Sequence, residues 1–300
     1  MKGDDAQELL AAPAIVAEYR KVMFIGGTDS GKTFLARHWA GALAEAGRRV
    51  GVLDFDLGQS TVGPPGCIGL QLPWEAGGDP LFPTAMVFLG FLSPAFDVGS
   101  VIEAGLRLER RAVEEGYDVL LVDTSGMVEG GLAALLKRCK IRALRPDLLV
   151  VLDREGETEH IFRSLEENTY GELMRISPSP EAKCRSREER AAYRRELFRR
   201  YFAAGREVTL ELGKVELMPT SNRIAASAET LREGQLLGLN DGRGITRDLA
   251  RVLQVGEDRV RVLTPFRGAM EEIKALSAGP AVLEGDDSFR FLGYGSSTVR

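Results

Sequence analysis

Gly26-Gly27-Thr28-Asp29-Ser30-Gly31-Lys32-Thr33 is the stretch that decides the fold. Two glycines four residues apart, followed by Lys and Thr, fit the phosphate-loop pattern. The apolar run Val22-Met23-Phe24-Ile25 leads in, and an amphipathic run from Phe34 to Leu43 leads out. Strand, glycine loop and helix in that order are the context the pattern requires. Glycines let the backbone wrap round phosphate oxygens with its N–H groups pointing inward, and the helix adds its positive end. Gly26 to Thr33 is therefore expected to hold a nucleoside triphosphate, with Lys32 on the β- and γ-phosphates and Thr33 on Mg²⁺. The loop does not say where the phosphate goes.

Outward from the loop, strand and helix patterns alternate. Val50-Gly51-Val52-Leu53-Asp54-Phe55-Asp56 is a buried-type strand ending in acids, and Gly63-Pro64-Pro65-Gly66 marks a loop. Ala85 to Leu92 and Tyr117 to Val122 read as strands, with a helix from Val98 to Glu115 between them. A helix over Leu132 to Leu144, a strand over Asp147 to Leu152 and a helix around Ile161 to Leu165 follow. This order predicts an α/β fold, a mainly parallel sheet flanked by helices. From Gln235 the pattern turns to short β runs separated by Asn240-Asp241-Gly242 and Gly256-Glu257-Asp258. The expected division is a tail over 1–19, a phosphate-loop domain over 20–206 and a small, mostly β domain over 207–300.

Composition narrows the class. The chain has 300 residues, a net charge of −5, and the charged and apolar fractions of a globular protein. No run approaches a membrane span, and Met1 to Gln7 lacks a signal-peptide pattern. Cys67, Cys139 and Cys184 are scattered, without metal-ligand spacing, which leads to the expectation of reduced thiols in a cytoplasmic protein. With only His38 and His160, a histidine metal site or triad is not expected.

Two acids compete for the chemistry. Asp123 follows Val119-Leu120-Leu121-Val122, which often places a carboxylate beside the metal. Asp56 ends the strand after the phosphate-loop helix and can accept a proton from an attacking hydroxyl. For Asp54 a structural and a functional role are equally open. Asp123-Thr124-Ser125-Gly126 also resembles a GTPase switch, but the later strand leads to Asp153-Arg154-Glu155-Gly156, with no Asn-Lys-Xaa-Asp guanine reader. Between Arg185 and Arg206 stand eight arginines against Glu188, Glu189 and Glu196. Arg187, Arg190 and Arg194 share one helical face and can clamp a migrating phosphoryl group or a nucleic-acid backbone. A solvated charged helix is the plain alternative. Trp39 reads as packing, Trp74 is open, and Tyr193 and Phe198 read as the inner face of this helix.

Together these stretches resemble the polynucleotide 5′-hydroxyl kinase family, the RNA kinases of tRNA splicing, ribosomal-RNA processing and the pre-mRNA cleavage complex. Gly26 to Thr33 is similar to the family's Gly-Pro-Thr-Asp-Xaa-Gly-Lys-Ser/Thr. Asp54-Phe55-Asp56-Leu57-Gly58-Gln59, then Pro65-Gly66, resembles its acid-Xaa-Asp-Xaa-Gly-Gln element and Pro-Gly. Asp123-Thr124-Ser125-Gly126-Met127-Val128-Glu129-Gly130 resembles its Asn-Thr-Xaa-Gly-Trp-Val-Xaa-Gly, with Asp for Asn and Met for Trp. Arg190 and Arg194 fall on its two-arginine lid, and Gly238-Leu239-Asn240-Asp241-Gly242 on a C-terminal turn. The resemblance implies ATP and Mg²⁺ as cofactors and RNA or DNA 5′-hydroxyl ends as partners. It names no protein partner and no membrane. It implies Asp56 as the base, Arg190 and Arg194 as phosphoryl stabilisers, and Gln59, Thr124 and Arg187 on the substrate. Asp123 then joins Thr33 at the metal. It also implies a short form without the N-terminal β domain of the large eukaryotic members. A scaffold without kinase activity, or a GTPase or ATPase switch, are the alternatives.

Overall fold

The computed structural model describes residues 13–75, 77–153, 156–163, 165, 169–178, 185–285 and 288–292. Cys184, Arg154, Glu155 and the first twelve residues of the expected tail lie outside them.

Helix α1 (Pro13–Val16) precedes strand β1 (Lys21–Gly26), the phosphate loop and helix α2 (Lys32–Glu45). There follow β2 (Val50–Asp54), β3 (Cys67–Gln71), β4 (Ala85–Phe88), α3 (Val98–Glu115), β5 (Val119–Asp123), α4 (Gly130–Leu144), β6 (Leu148–Leu152), α5 (Glu159–Phe162) and β7 (Glu172–Ile176). Strands β2, β5, β1, β6 and β7 lie side by side and parallel, with the loop at the end of the central β1. Side chains alternate along each strand and so feed two cores. Val22 and Phe24 meet Leu35, Trp39 and Leu43 of α2 on one face. Met23 and Ile25 meet the side of α3 and α4, among them Val101, Leu108, Leu136 and Ile141, on the other. The expected mainly parallel α/β fold is the observed one.

Strands β3 and β4 extend this sheet antiparallel beyond β2. The expected strand over Ala85–Leu92 stops at Phe88. Gly90 has φ 72°, and the N–H groups of Leu89 and Gly90 both donate to the Gly66 carbonyl, which turns the chain out of the ladder.

Helix α6 (Arg187–Phe202) carries the arginines. Ser186 caps it with its hydroxyl on Glu189 N–H, and the Glu189 carboxylate returns to the Ser186 N–H, a reciprocal capping box. Its C-terminal half buries Leu197, Phe198 and Tyr201 among Cys67, Phe88, Leu236 and Leu249. The helix is anchored at that end, and Arg187, Arg190 and Arg194 lie in its other half. Strands β8 (Arg206–Glu211), β9 (Glu216–Pro219), β10 (Gln235–Asn240), β11 (Thr246–Val255), β12 (Arg259–Thr264), β13 (Ala275–Leu283) and β14 (Phe289–Phe291) complete the chain. They build a third core around Leu237, Leu239, Val252, Val262 and Leu276. They join the first sheet where Thr246 pairs with Met86, and the Thr246 hydroxyl accepts from Phe88 N–H at 3.0 Å. No helix among the described residues is long and apolar enough to cross a membrane.

Candidate active site

The phosphate loop closes with Gly31 at φ 94°, a left-handed conformation suited to glycine, and α2 begins at Lys32. The Lys32 ammonium donates to the Gly27 carbonyl at 2.5 Å and to Ser30 Oγ at 3.1 Å. Burial pulls its pKa down, while Asp123, Asp56, Asp29 and Glu157 pull it up. Asp29 occupies the loop at φ 57° and turns its carboxylate to the lid: Arg190 Nη2 lies 2.8 Å from Asp29 Oδ2.

Residues 28–33, Asp56, Gln59, Thr124, Arg190 and Arg194 line one cleft of about 1500 Å³. Gly26 and Gly27 form its rear support rather than its lining. A Cβ on Gly26 would stand 2.4 Å from the Leu152 carbonyl oxygen, so β6 packs directly on that backbone.

Asp56 Oδ1 accepts the N–H groups of Gly58 and Gln59, at 3.0 and 2.9 Å. Oδ2 makes no hydrogen bond among the described residues. Asp54 plays the other part. It is buried and accepts four donors: Asp56 N–H, Thr61 N–H, the Thr61 hydroxyl and Val62 N–H. It ties the 54–62 loop into the turn that presents Asp56. Burial, reinforced by the charges of Asp123 and Asp56, pushes its carboxyl up to about 8, against those hydrogen bonds.

Asp123 lies beneath the cleft, reached through Thr33, whose hydroxyl donates to Asp123 Oδ2 at 2.5 Å. Burial pushes the Asp123 carboxyl up, while Lys32 and the Thr33 hydroxyl hold it down. Its buried Oδ1 has no hydrogen-bond partner among the described residues. An oxygen-only pair with a spare acceptor fits Mg²⁺, which keeps waters and phosphates as its other ligands. No cluster of three or more His, Cys, Asp or Glu among the described residues could hold a metal by itself.

Arg190 and Arg194 face the cleft. Arg194 Nε is buried without a hydrogen-bond partner among the described residues. Burial and neighbouring Arg190 lower its pKa, while Asp56 opposes them. Arg187, expected on the substrate, is exposed at the first residue of α6 and does not line the cleft. Helix begins only there, so the reach towards the loop falls to Arg185, the residue before the cap. Arg185 N–H donates to Asp29 Oδ2 at 3.2 Å, and its Nη1 lies 3.4 Å from Gln59 Oε1.

The Thr124 hydroxyl donates to the Phe24 carbonyl at 2.7 Å and accepts from Lys137 Nζ at 2.8 Å. Lys137 also donates to the Ser125 carbonyl. Lys137 and Lys140 are both fully buried, and Lys140 Nζ lies 4.4 Å from the Phe55 ring with no hydrogen-bond partner among the described residues. Burial pulls Lys140 down to about 8, against the pull of Asp56, Asp54 and Asp123. Two buried lysines therefore lie within the field of these acids, and burial also pulls Lys137 well below its ordinary range, a feature that motif reading missed. The available signal was phase: Ala133, Lys137, Lys140 and Leu144 occupy one core-facing stripe of α4.

A phosphate loop, a strand-end acid and an arginine-bearing helix around one cleft define a P-loop nucleotide-binding protein. More narrowly, the chain belongs to the mRNA cleavage and polyadenylation factor CLP1 P-loop family, whose model matches residues 26–204. It is 36% identical over 202 residues to the polyribonucleotide 5′-hydroxyl-kinase of Pyrococcus horikoshii, covering 67% of this chain and 54% of that one. It is 34% identical over 223 residues to the protein of the same name in Pyrococcus abyssi, covering 73% and 61%. The chain thus matches little more than half the length of these curated relatives. A solved Clp1p–Pcf11p complex shares the fold, with TM-score 0.70 over 91% of this chain and 78% of that one, at 15% identity.

Proposed function

We propose that this protein transfers the γ-phosphate of ATP to the 5′-hydroxyl end of RNA, with DNA ends as a second substrate class. The observation that carries the proposal is the shared cleft: Asp56 and two lid arginines face the same space as the phosphate loop. The names of the archaeal relatives support the same reading.

In this mechanism the loop N–H groups and Lys32 hold the triphosphate. Thr33 and Asp123 would hold Mg²⁺, whose charge offsets that of the β- and γ-phosphates. Asp56, oriented by Gly58 and Gln59, takes the proton of the 5′-hydroxyl as its oxygen bonds to the γ-phosphorus. The bond from that phosphorus to the β,γ-bridging oxygen breaks, and ADP leaves. Arg190 and Arg194 stabilise the charge on the moving phosphoryl group.

An Asp56→Asn variant tests the assignment. It is expected to bind ATP normally and to lose transfer to a 5′-hydroxyl oligoribonucleotide by 10²-fold or more, within the range for general-base catalysis. Undiminished transfer would remove Asp56 as the base.

A further inference from the structure

The cleft is larger than one nucleotide requires, since sites for small ligands run to about 1,000 Å³. Beyond the phosphate loop and Asp56, the same cleft is lined by Thr61 and Val62 and by Arg37, Trp74 and Tyr193. The proposed catalysis uses none of the last three.

This part of the cleft pairs guanidinium groups with rings. The Arg37 guanidinium carbon lies 5.6 Å from the centre of the Trp74 ring, and that of Arg185 lies 5.3 Å from the centre of Tyr193. Trp74 is held by its backbone N–H, which donates to the Val50 carbonyl at 2.7 Å, and by packing on the α2-side core. Both pairs line the one cleft; burial, with Asp54, pushes the Tyr193 phenol up, while Arg185 and Arg37 oppose it. Among the described residues neither Arg37 nor Arg185 forms a side-chain ion pair, whereas Arg190 is held by Asp29 and Arg200 by Asp79. Aromatic faces flanked by available guanidinium groups suit unpaired bases and their phosphates. A base inside a duplex cannot offer its face in this way.

We propose that the Arg37–Trp74–Tyr193 wall binds the nucleotides next to the reacting 5′ end, with a base stacked on Trp74 and a phosphate on Arg37 and Arg185, which makes the site selective for single strands. The proposal rests on the kinase reading and adds a site for the strand beyond its first nucleotide.

The test compares transfer to a single-stranded 5′-hydroxyl trinucleotide and to a nucleoside 3′-monophosphate, in wild type, Trp74→Leu and Arg37→Ala. Arg37 is exposed on α2, so its variant keeps the fold even where the Trp74 variant suffers. The ratio of the two kcat/KM values is expected to fall about tenfold in each variant, the order of one lost base stack or phosphate contact. An unchanged ratio would overturn the proposal and leave the kinase reading intact. Should wild type transfer to neither substrate, the kinase reading fails, and intrinsic fluorescence decides the site separately. Trp39 is fully buried, so quenching on titration with the trinucleotide reports Trp74. Quenching lost in Arg37→Ala supports the site, and no quenching in wild type overturns it.

Discussion

Arg190 Nη2 and Asp29 Oδ2 stand 2.8 Å apart, so the lid is fastened to the phosphate loop through a carboxylate of the loop itself. The same oxygen accepts Arg185 N–H, so one side chain secures both the lid helix and the residue before its cap. An ion pair this accessible is worth about 1 kcal/mol or less, weak enough to open and close during turnover. Asp29→Asn is expected to lower kcat for transfer about three- to tenfold, because Arg190 loses its anchor. ATP affinity should not weaken, since a negative charge beside the phosphates is removed. Steady-state transfer and an ATP titration measure the two effects, and an unchanged kcat would mean that the pair does not position the lid.

Arg194 has a buried Nε with no partner among the described residues, the arrangement of a donor that waits for an anion. Arg194→Ala is expected to reduce kcat by 10²- to 10³-fold with little change in the KM for ATP. Arg194→Lys should recover only part of this loss, because an ammonium lacks the planar fork. Full recovery in the Lys variant would reduce the role to simple charge.

Gly126 joins the Asp123 segment to the phosphate loop. A Cβ there would lie 2.5 Å from Thr28 Cα and 2.7 Å from Thr28 N. Backbone cannot rotate aside as a side chain can. Gly126→Ala should therefore displace the loop, weaken ATP binding about tenfold or more, and cost about 1–3 kcal/mol of stability. Isothermal titration and thermal unfolding test the two parts.

Lys140 predicts a pH-dependent stability difference. Burial lowers its folded pKa from 10.5 to about 8. Below pH 8 the folded and unfolded chains both carry the proton, and the buried charge costs on the order of 3 kcal/mol. Between pH 8 and 10.5 the unfolded chain keeps the proton that the folded chain has lost, so wild type gains stability as pH rises. Lys140→Met should accordingly be more stable than wild type at pH 7, with the gap closing towards pH 10.5. Denaturant unfolding across that range checks both sign and window, and a constant gap would contradict it.

The legible parts of the site were those whose partners are close in sequence. The loop, its strand and its helix are contiguous, and the Ser186-Arg187-Glu188-Glu189 start of the lid is a local capping box. Asp54 was ambiguous because its partners Thr61 and Val62 are set by a loop that folds back. Strand β3 escaped notice for a related reason. Cys67-Ile68-Gly69-Leu70-Gln71 is short, largely buried and broken by a glycine, with none of the alternation that marks a half-exposed strand. Gly69 is needed because a Cβ there would lie 1.9 Å from the Val62 carbonyl oxygen, a contact made by residues seven apart. Lys137 and Lys140 show the opposite difficulty. Their phase was readable, but a buried lysine runs against the ordinary preference of the residue; Lys137 is accounted for by the Thr124 hydroxyl and Ser125 carbonyl it donates to, and Lys140 by the pull of Asp56, Asp54 and Asp123.

The central claim is that the γ-phosphate goes to a 5′-hydroxyl rather than to water. Supplying the purified chain with γ-labelled ATP, Mg²⁺ and a 5′-hydroxyl single-stranded RNA, and separating end-labelled RNA from inorganic phosphate, tests it most directly. The label is expected on the RNA 5′ end, with inorganic phosphate a minor product whose yield does not rise with RNA. ATP binding with label released only as inorganic phosphate, or with no label transferred, would contradict it.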